Sequence, residues 1–455
     1  MGVDLNSQEE GRPEPGKGER KPYHCPLVAL SLNNPAASMD IGIAIFIIGL
    51  GALAAAFCLL VIGVVYAELM DCDIPRGVDG AAKLHMVHCM LVGMAVIGRI
   101  LDRLGLCSQV RFTRWATGLI MASRRPVPEG LRIKDLTFAE VPVRVYEPTA
   151  PSSGKRRGLV YFHGGGWVSG SIDTSDEVCR YIAIKSETTV VSVGYRLAPE
   201  HRYPTQLDDC EAATCHFLSV AADSFGVDPC RVAVGGDSVG GNLAAALCQR
   251  LAGRHQPGHL LAPCAQVLIY PALQMADFNL PSYQQNGTVP ILLRARVAFY
   301  FLQYLCGEAY ACPELLDGLH VPAELKLRYG RWLDPNDLPA EIKARGFERQ
   351  TPSEHDGEVY HLVKAGLSAE VSPLLADDAA LSAVPPAFVL TCEYDVLRDE
   401  GIFYTRRLEQ LGVPVTWHNA PDSFHGVINF YNRGWLSFAS AERVLERVVD
   451  YVKTL

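Results

Sequence analysis

The sequence predicts an α/β fold in which a mostly parallel β-sheet is covered by helices on both faces. Beyond about residue 136, short apolar segments rich in β-branched residues alternate with helix-length segments, as in parallel sheets. A single Gly-x-Ser-x-Gly sequence lies between one such strand and a helix, and a triple glycine directly follows another strand. The 455 residues are enough for one large domain with additions or for two ordinary domains.

The individual elements follow from the positions of the apolar segments. Strands are predicted at residues 158–162, 189–195, 231–236, 265–271, 386–392 and 414–418. Helices are predicted at residues 242–251 and 400–411, and the second ends before Gly412. Residues 273–370 break the alternation, because they are irregular and rich in aromatic residues and prolines. The predicted core therefore consists of residues 136–272 and 371–455, with an insertion between them.

The amino-terminal part of the chain predicts a membrane anchor at residues 40–67. Its 27 residues from 41 to 67 carry no charge, which is enough to span a bilayer and unusual for a buried helix of a soluble protein. Residues 1–39 are rich in Gly, Pro and charged residues and are predicted to be a disordered tail. Basic residues precede the span and acidic residues follow it: Arg12, Lys17, Arg20 and Lys21, then Glu68, Asp71 and Asp73. This bias predicts a cytosolic tail and a remaining chain in the lumen of the endoplasmic reticulum.

Composition argues against two other classes of partner. The net charge of -9 and the absence of a basic stripe disfavour nucleic acid. An apolar segment at residues 84–98 predicts a helix packed on the body or on the membrane surface, and its His85, His88 and Cys89 are better explained by packing than by a metal. The fourteen cysteines are scattered; Cys306 and Cys312 are close enough to pair, and free buried thiols are the alternative.

Ser238 is the candidate nucleophile. It lies in the sequence Gly236-Asp237-Ser238-Val239-Gly240, between a predicted strand and an Ala-rich helix. Such a sharp turn strains the serine and projects its hydroxyl above the sheet, and glycines two residues to either side avoid clashes. This context favours a nucleophile over a structural turn.

A serine hydroxyl needs a base to take its proton and an acid to orient that base. In this architecture the order along the chain is serine, acid, histidine. Asp395 and His425 each follow a predicted strand in that order. The alternatives are Glu393 and Asp399 for the acid, of which Asp399 is expected at the start of the next helix, and His418 for the base, which is expected to end a strand.

The triple glycine predicts backbone donors for a developing oxyanion. Gly164 and Gly165 are expected to donate their amide hydrogens together with Val239, since a side chain there would hold the substrate away. The neighbouring His163 is expected to brace the loop, and Gly166 to support it. A phosphate-binding loop is the rival use of glycines, but the following residues contain no lysine.

Several longer motifs resemble the hormone-sensitive lipase family of α/β-hydrolases. They are YFHGGGWVSGS (161–171), YRLAPEHRYPTQLDD (195–209), GGDSVGGNLAAAL (235–247), IYPALQ (269–274) and LTCEYDVLRDEG (390–401). The single anchor and the sequences LPSYQQNGT (280–288) and VSPLLADD (371–378) resemble the arylacetamide deacetylase branch of that family. The resemblance covers roughly residues 68–455, and Val168 departs from it where the branch has a cysteine, so no family disulfide is carried over.

The resemblance implies an α/β-hydrolase fold with a helical cap, formed by residues 68–135 and the insertion 273–370. It also implies a Ser238–Asp395–His425 triad with an oxyanion hole at Gly164, Gly165 and Val239. Residues 291–307 are an aromatic-rich helix that either lines an acyl pocket, touches the bilayer or simply packs on the sheet. Trp167 is similarly assigned to the pocket wall or to the core.

The functional prediction is a membrane-anchored serine esterase or deacetylase that cleaves lipophilic carboxylic esters or arylacetamides, with no metal or organic cofactor. The alternatives are a triacylglycerol lipase and a non-catalytic ligand-binding protein on a hydrolase scaffold. The sequence also holds one glycosylation sequon, at Asn286 to Thr288, in a polar segment of the insertion. A glycan at Asn286 is predicted if this side of the anchor faces the lumen.

Overall fold

The computed structural model describes residues 35–70, 74–122, 125–253, 262–307, 313–349 and 355–455. Most of the predicted disordered tail, and Cys312 of the possible cysteine pair, therefore lie outside the described residues. The chain divides into two compact units, residues 1–59 and residues 60–455.

The amino-terminal helix α1 spans Pro35–Met70 and contains the predicted apolar segment. Its stretch Ile41–Ala67 has a mean hydropathy of 2.9, and none of its most apolar part is buried. The next helix, α2 (Ala81–Arg103), is longer than the apolar segment that predicted it and has a mean hydropathy of 1.7. By length and composition alone, both of these described helices are able to cross a membrane, and α2 buries Leu84, Val87, His88 and Gly98.

The second unit, residues 60–455, is built from strands and helices with the following bounds. The strands are β1 (Leu131–Phe138), β2 (Val141–Pro148), β3 (Arg156–Phe162), β4 (Thr189–Val193), β5 (Val227–Asp237), β6 (Gln266–Ile269), β7 (Ala387–Tyr394) and β8 (Val415–Phe424). The remaining helices are α3 (Gln109–Met121), α4 (Asp176–Ser186), α5 (Thr205–Phe225), α6 (Val239–Ala252), α7 (Pro281–Gln285), α8 (Arg294–Leu305), α9 (Pro313–Leu316), α10 (Ala323–Gly330), α11 (Ala340–Lys343), α12 (Gly357–Val363), α13 (Asp378–Ser382), α14 (Arg398–Gln410) and α15 (Ala439–Val452). Short 3₁₀ turns lie at Pro335–Asp337, Lys364–Leu367, Pro373–Leu375, Val427–Phe430 and Gly434–Leu436.

The described residues form an eight-stranded sheet in the order β1-β2-β4-β3-β5-β6-β7-β8. From β4 to β8 every neighbouring pair is parallel, whereas β2 is antiparallel to both β1 and β4. The predicted α/β-hydrolase fold with a mostly parallel sheet is therefore confirmed. The hairpin of β1 and β2 was not among the predicted strands, because its turn at Ala139 and Glu140 adopts positive φ angles of 46° and 69° without the usual Gly or Asn.

Both faces of the sheet are buried by helices. One core contains Phe217 of α5, Leu243 of α6 and Leu408 of α14, and the other contains Ile182 of α4 and Leu445 of α15. Because both faces are covered, strand β4 is buried at all five of its residues, and its valines contribute to both cores, Val191 and Val193 to one and Val190 to the other. The carboxyl ends of β5, β7 and β8 lie along the same edge of the sheet, and this edge carries the candidate site.

The chain between β6 and β7 contains helices α7 to α13 and adds no strand to the sheet among its described residues. The exact limits of the inserted segment, 273–370, and of the other predicted domains stay predictions.

Candidate active site

Ser238 occupies the turn between β5 and α6 with φ 57° and ψ -120°. This is a strained backbone conformation for a residue with a side chain. A Cβ on Gly236 would lie 2.2 Å from the carbonyl oxygen of Phe162, and one on Gly240 would lie 2.0 Å from the same atom. Both flanking positions therefore require glycine, as the sequence pattern predicts.

The structure brings Ser238, His425 and Asp395 together in a chain of hydrogen bonds. The Oγ of Ser238 lies 2.9 Å from Nε2 of His425, and Nδ1 of His425 lies 2.8 Å from Oδ2 of Asp395. The other carboxylate oxygen of Asp395 accepts the amide hydrogen of Leu397 at 2.9 Å. With Nδ1–H donated to the carboxylate, the Nε2 lone pair faces the serine hydroxyl, which is the geometry needed for proton transfer.

The alternative acids lie outside this chain of hydrogen bonds. Glu393 accepts hydrogen bonds from Arg398, Arg345 and Asn419. Asp399 was expected at the start of α14, and there it accepts from the Arg398 side chain at 2.9 Å and from the backbone of Ser282. Both carboxylates are thus occupied by neighbours other than His425.

The alternative base is also remote from the serine. Strand β8 continues to Phe424, six residues past the predicted end, so His418 lies in the middle of the strand, paired with Leu390. It is partly buried beside the ring of Phe388. The extension of β8 is what places His425 directly at the edge of the sheet.

The glycine loop differs from the prediction at Gly164. Its amide donates to Oδ1 of Asp237 at 2.8 Å, so it is not available to a substrate oxygen. The amides of Gly165, Gly166 and Val239 have no acceptor among the described residues, and all three residues line the cavity beside Ser238. The prediction that Gly164 donates to an oxyanion is therefore corrected, because its amide is occupied by Asp237.

The reason for the triple glycine also differs from the prediction. A Cβ on Gly165, whose φ is 119°, would lie 2.3 Å from the carbonyl oxygen of Ser169. A Cβ on Gly166, whose φ is 66°, would lie 2.3 Å from the ring of Tyr300. These side chains would collide with the protein itself before they met a substrate.

Asp237 is the residue that fixes the loop, and the sequence did not reveal its partners. Besides Gly164, its buried carboxylate accepts hydrogen bonds from the hydroxyl of Tyr161 at 2.8 Å, Nδ2 of Asn429 at 3.2 Å and the hydroxyl of Tyr270 at 3.4 Å. Burial raises the pKa of both tyrosines well above its ordinary value, so both remain protonated donors.

His163 contacts the loop as expected for a bracing residue. Its Nδ1 lies 2.8 Å from the carbonyl oxygen of Gly164, and its ring stacks on that of Tyr195 with the centroids 4.3 Å apart. Burial lowers the pKa of His163, which favours the neutral imidazole.

A cavity of about 140 Å³ opens at Ser238. Its walls are largely apolar and include Trp167, Leu292, Val297, Tyr300, Phe301 and Leu397. The indole of Trp167 also stacks on Tyr304 with the ring centroids 4.3 Å apart and is 1% exposed. Trp167 therefore lies in the pocket wall and also in the core. Helix α8 likewise lines the pocket and packs on the body of the protein.

The glycosylation prediction at Asn286 is wrong. The side chain is 2% exposed, and its Nδ2 donates to the carbonyl oxygens of Glu393 at 3.2 Å and Asp395 at 3.0 Å. Nδ2 is the atom to which a glycan would be attached, and the folded chain leaves no room for one there. The sequon led to a wrong prediction because it is defined by three residues of sequence and carries no information about the burial of the asparagine.

Among the residues that the structure describes, no three His, Cys, Asp or Glu side chains come together as metal ligands would. The described cysteine of the possible pair, Cys306, places its Sγ 3.6 Å from the carbonyl oxygen of Leu362.

Comparison with known proteins agrees with this architecture. The chain matches the family described as having the alpha/beta hydrolase fold over residues 159–320 and 352–429. Arylacetamide deacetylase-like 4 of Homo sapiens is 38% identical over 389 residues, covering 86% of this chain and 94% of the relative. Arylacetamide deacetylase of Bos taurus is 35% identical, covering 82% of this chain and 94% of the relative. The solved structure of the Pyrobaculum calidifontis esterase is 29% identical with a TM-score of 0.57, covering 79% of this chain and 97% of that one.

Fold, site and relatives define this protein as a carboxylic ester hydrolase of the serine type. More narrowly, the chain belongs to the arylacetamide deacetylase family of α/β-hydrolases, to which the sequence motifs had pointed.

Proposed function

We propose that this protein is a membrane-anchored serine esterase or deacetylase that cleaves lipophilic carboxylic esters or arylacetamides through an acyl-enzyme. The observation that carries the proposal is the continuous chain of hydrogen bonds from Ser238 through His425 to Asp395, with distances of 2.9 and 2.8 Å. The names of the relatives, which are arylacetamide deacetylases and related proteins, support the substrate class.

In the first half-reaction, Nε2 of His425 takes the proton of Ser238 as Oγ attacks the carbonyl carbon. The tetrahedral intermediate then breaks its bond to the leaving alcohol or amine, which receives the proton from His425. In the second half-reaction, water gives a proton to His425 as it attacks the acyl carbon. The second tetrahedral intermediate then breaks its bond to Oγ of Ser238, which takes the proton back from His425, and the acid is released. Asp395 keeps the imidazole in the productive tautomer and stabilises its charged form.

Both half-reactions place negative charge on the carbonyl oxygen. The amides of Gly165, Gly166 and Val239 are the donors proposed for it, because they line the cavity and have no acceptor among the described residues. Val239 is also the first residue of α6, where the helix dipole favours negative charge. Loss of one such donor typically costs about 3 to 4 kcal/mol in the transition state.

The cavity favours small acyl groups over triacylglycerol. At about 140 Å³ it is well below the roughly 300 to 1,000 Å³ of pockets that hold a drug-sized ligand. Its apolar walls suit an acetyl or short acyl group on a lipophilic alcohol or aryl amine. A non-catalytic binding protein is disfavoured because such a protein does not require the hydrogen-bonded Ser238, His425 and Asp395 or the strained backbone of Ser238.

The decisive experiment is covalent labelling of the full-length protein in detergent with a fluorophosphonate. Modification is expected on Ser238 and is expected to disappear in Ser238→Ala, whereas Ser169→Ala, in the neighbouring glycine loop, keeps it. Labelling that survives in Ser238→Ala would remove Ser238 as the nucleophile. Rates with p-nitrophenyl esters of increasing acyl length then separate an esterase, which prefers acetyl or butyryl, from a lipase, which prefers long chains.

The apolar helix α1 and the charges that flank it support a further proposal, namely that the protein is a single-pass protein of the endoplasmic reticulum. Its catalytic unit, the chain after residue 67, would then lie in the lumen. The lipophilic substrate would then partition into the same membrane that holds the enzyme.

A further inference from the structure

The turn that carries Asp395 is held by the inserted segment as well as by the sheet. Strand β7 ends at Tyr394 and helix α14 begins at Arg398, so Asp395 lies in a short connection between them. The short helix α7 and the residue that follows it, Asn286, pack directly against this connection.

Asn286 is the residue of the inserted segment that bonds the backbone of Asp395 itself. The two hydrogens of its side-chain amide go to the carbonyl oxygens of Glu393, in strand β7, and of Asp395, in the connection that follows it. The site is buried, with Asn286 2% and Asp395 1% exposed, so water cannot replace these bonds.

Two neighbouring hydrogen bonds also join the inserted segment to the chain that follows Asp395. The hydroxyl of Ser282 donates to the carbonyl oxygen of Val396 at 2.6 Å, and the guanidinium of Arg398 donates to Oε1 of Gln285 at 2.8 Å. Three residues of the inserted segment, Ser282, Gln285 and Asn286, thus bond the chain around Asp395. Only the bonds of Asn286, among these three, include the backbone of Asp395 itself.

We propose that Asn286 is a positioning residue for the reaction: its side-chain amide fixes the backbone on both sides of Asp395 and thereby aims the carboxylate at His425. The inference rests on the proposed function, because it assumes that Asp395 orients the base. A displacement of about 1 Å at such a group can cost about 100-fold in rate. Asn286 does not line the cavity, and its side-chain amide bonds the backbone of Glu393 and Asp395, so its effect on the reaction is exerted through the connection that carries Asp395.

The test compares Asn286→Leu, which keeps the approximate shape and removes both donors, with the wild-type protein. We expect kcat for a p-nitrophenyl ester to fall by about 100-fold while KM changes little. Because the Asp395 carboxylate stabilises the protonated imidazole of His425, its displacement is also expected to move the acid limb of the kcat/KM profile to lower pH. A purely structural role would lower the yield or the melting temperature and leave that limb in place.

The matched control is Thr288→Ala, which destroys the same sequon but leaves the Asn286 amide intact. Thr288 is exposed, and wild-type kcat and an unchanged pH profile are expected. If Thr288→Ala lost activity to the same extent as Asn286→Leu, the loss would not be specific to the Asn286 donors and the proposal would be wrong.

Fluorophosphonate labelling separates the possible failures. A labelled wild type together with an Asn286→Leu protein that labels at the wild-type rate overturns the positioning role alone. A wild type that is not labelled at Ser238 overturns the proposed function, and the positioning role with it. If Asn286→Leu does not fold, Asn286→Gln, which moves the amide by one methylene, is judged by the same kinetic and pH measurements.

Discussion

The carboxylate of Asp237 accepts the amide hydrogen of Gly164 at 2.8 Å, so the residue before the nucleophile holds the first glycine of the oxyanion loop. This bond joins the last residue of β5 to the loop after β3, and the next two glycines of that loop line the cavity. The position of the loop relative to Ser238 therefore depends on one buried carboxylate.

Removal of this carboxylate is expected to lower turnover more than substrate binding. In Asp237→Ala the loop loses its anchor, and kcat should fall by roughly 100-fold, comparable to the loss of one oxyanion donor. Asp237→Asn keeps an acceptor oxygen for Gly164 and should lose less. Steady-state kinetics on folded variants measure both effects, and equal losses in the two variants would contradict a role through the Gly164 bond.

His418 in β8 and His425 directly after it should respond differently to substitution. His425→Ala removes the base, and kcat should fall by about 10⁴-fold or more. His418→Ala removes a partly buried ring beside Phe388, away from the serine, and kcat should stay within about twofold. Ester hydrolysis by the two purified variants decides the matter, and the reverse order of losses would refute the assignment of the base.

A buried histidine in the insertion should make stability depend on pH. His320 is 0% exposed with Nε2 at 2.7 Å from the carbonyl oxygen of Met275, and burial lowers its pKa to about 4. Since the unfolded chain takes up this proton near pH 6.5, the folded state loses stability as pH falls from about 6.5 to 4. The pKa difference corresponds to a loss of about 3 kcal/mol.

Thermal unfolding of wild type and His320→Gln at pH 7.5 and pH 4.5 isolates this contribution. Burial raises the pKa of Glu400 to about 7 against the hydrogen bonds that favour its charged form. As the pH falls over nearly the same range, folded Glu400 takes up a proton more readily than the unfolded chain does, which adds stability. This gain offsets the loss from His320, so the melting temperature of the wild type alone does not reveal the histidine. The melting temperature should fall less in His320→Gln than in wild type, and parallel changes in the two proteins would rule the histidine out.

Membrane orientation can be tested with two engineered sequons, because the natural one at Asn286 is buried. Pro151→Asn creates an exposed acceptor in the catalytic unit before Ser152 and Ser153, and Gln8→Thr creates one in the tail after Asn6. With a luminal catalytic unit, only Pro151→Asn should show a mass shift that an endoglycosidase removes after expression in mammalian cells. A shift in Gln8→Thr alone would establish the opposite orientation.

The sequence by itself determined the features that depend on neighbouring residues. The lack of charge predicted the helix at 41–67, and the flanking glycines predicted the turn of Ser238 between a strand and a helix. Positions just after predicted strands indicated the acid and the histidine. These features are predictable because burial on both faces of a parallel sheet requires apolar strands, and a sharp turn requires flanking glycines.

Only the tertiary structure decided which hydrogen-bond partner each buried polar group has. The amide of Gly164 is used by Asp237, and the amide of Asn286 is used by the turn of Asp395, although these partners are far apart in the chain. The hairpin of β1 and β2 and the extension of β8 likewise depend on a neighbouring strand rather than on a local signal. Hydrogen-bond partners are chosen by geometry after folding, and sequence periodicity carries no information about which of several equivalent amides remains free for a substrate.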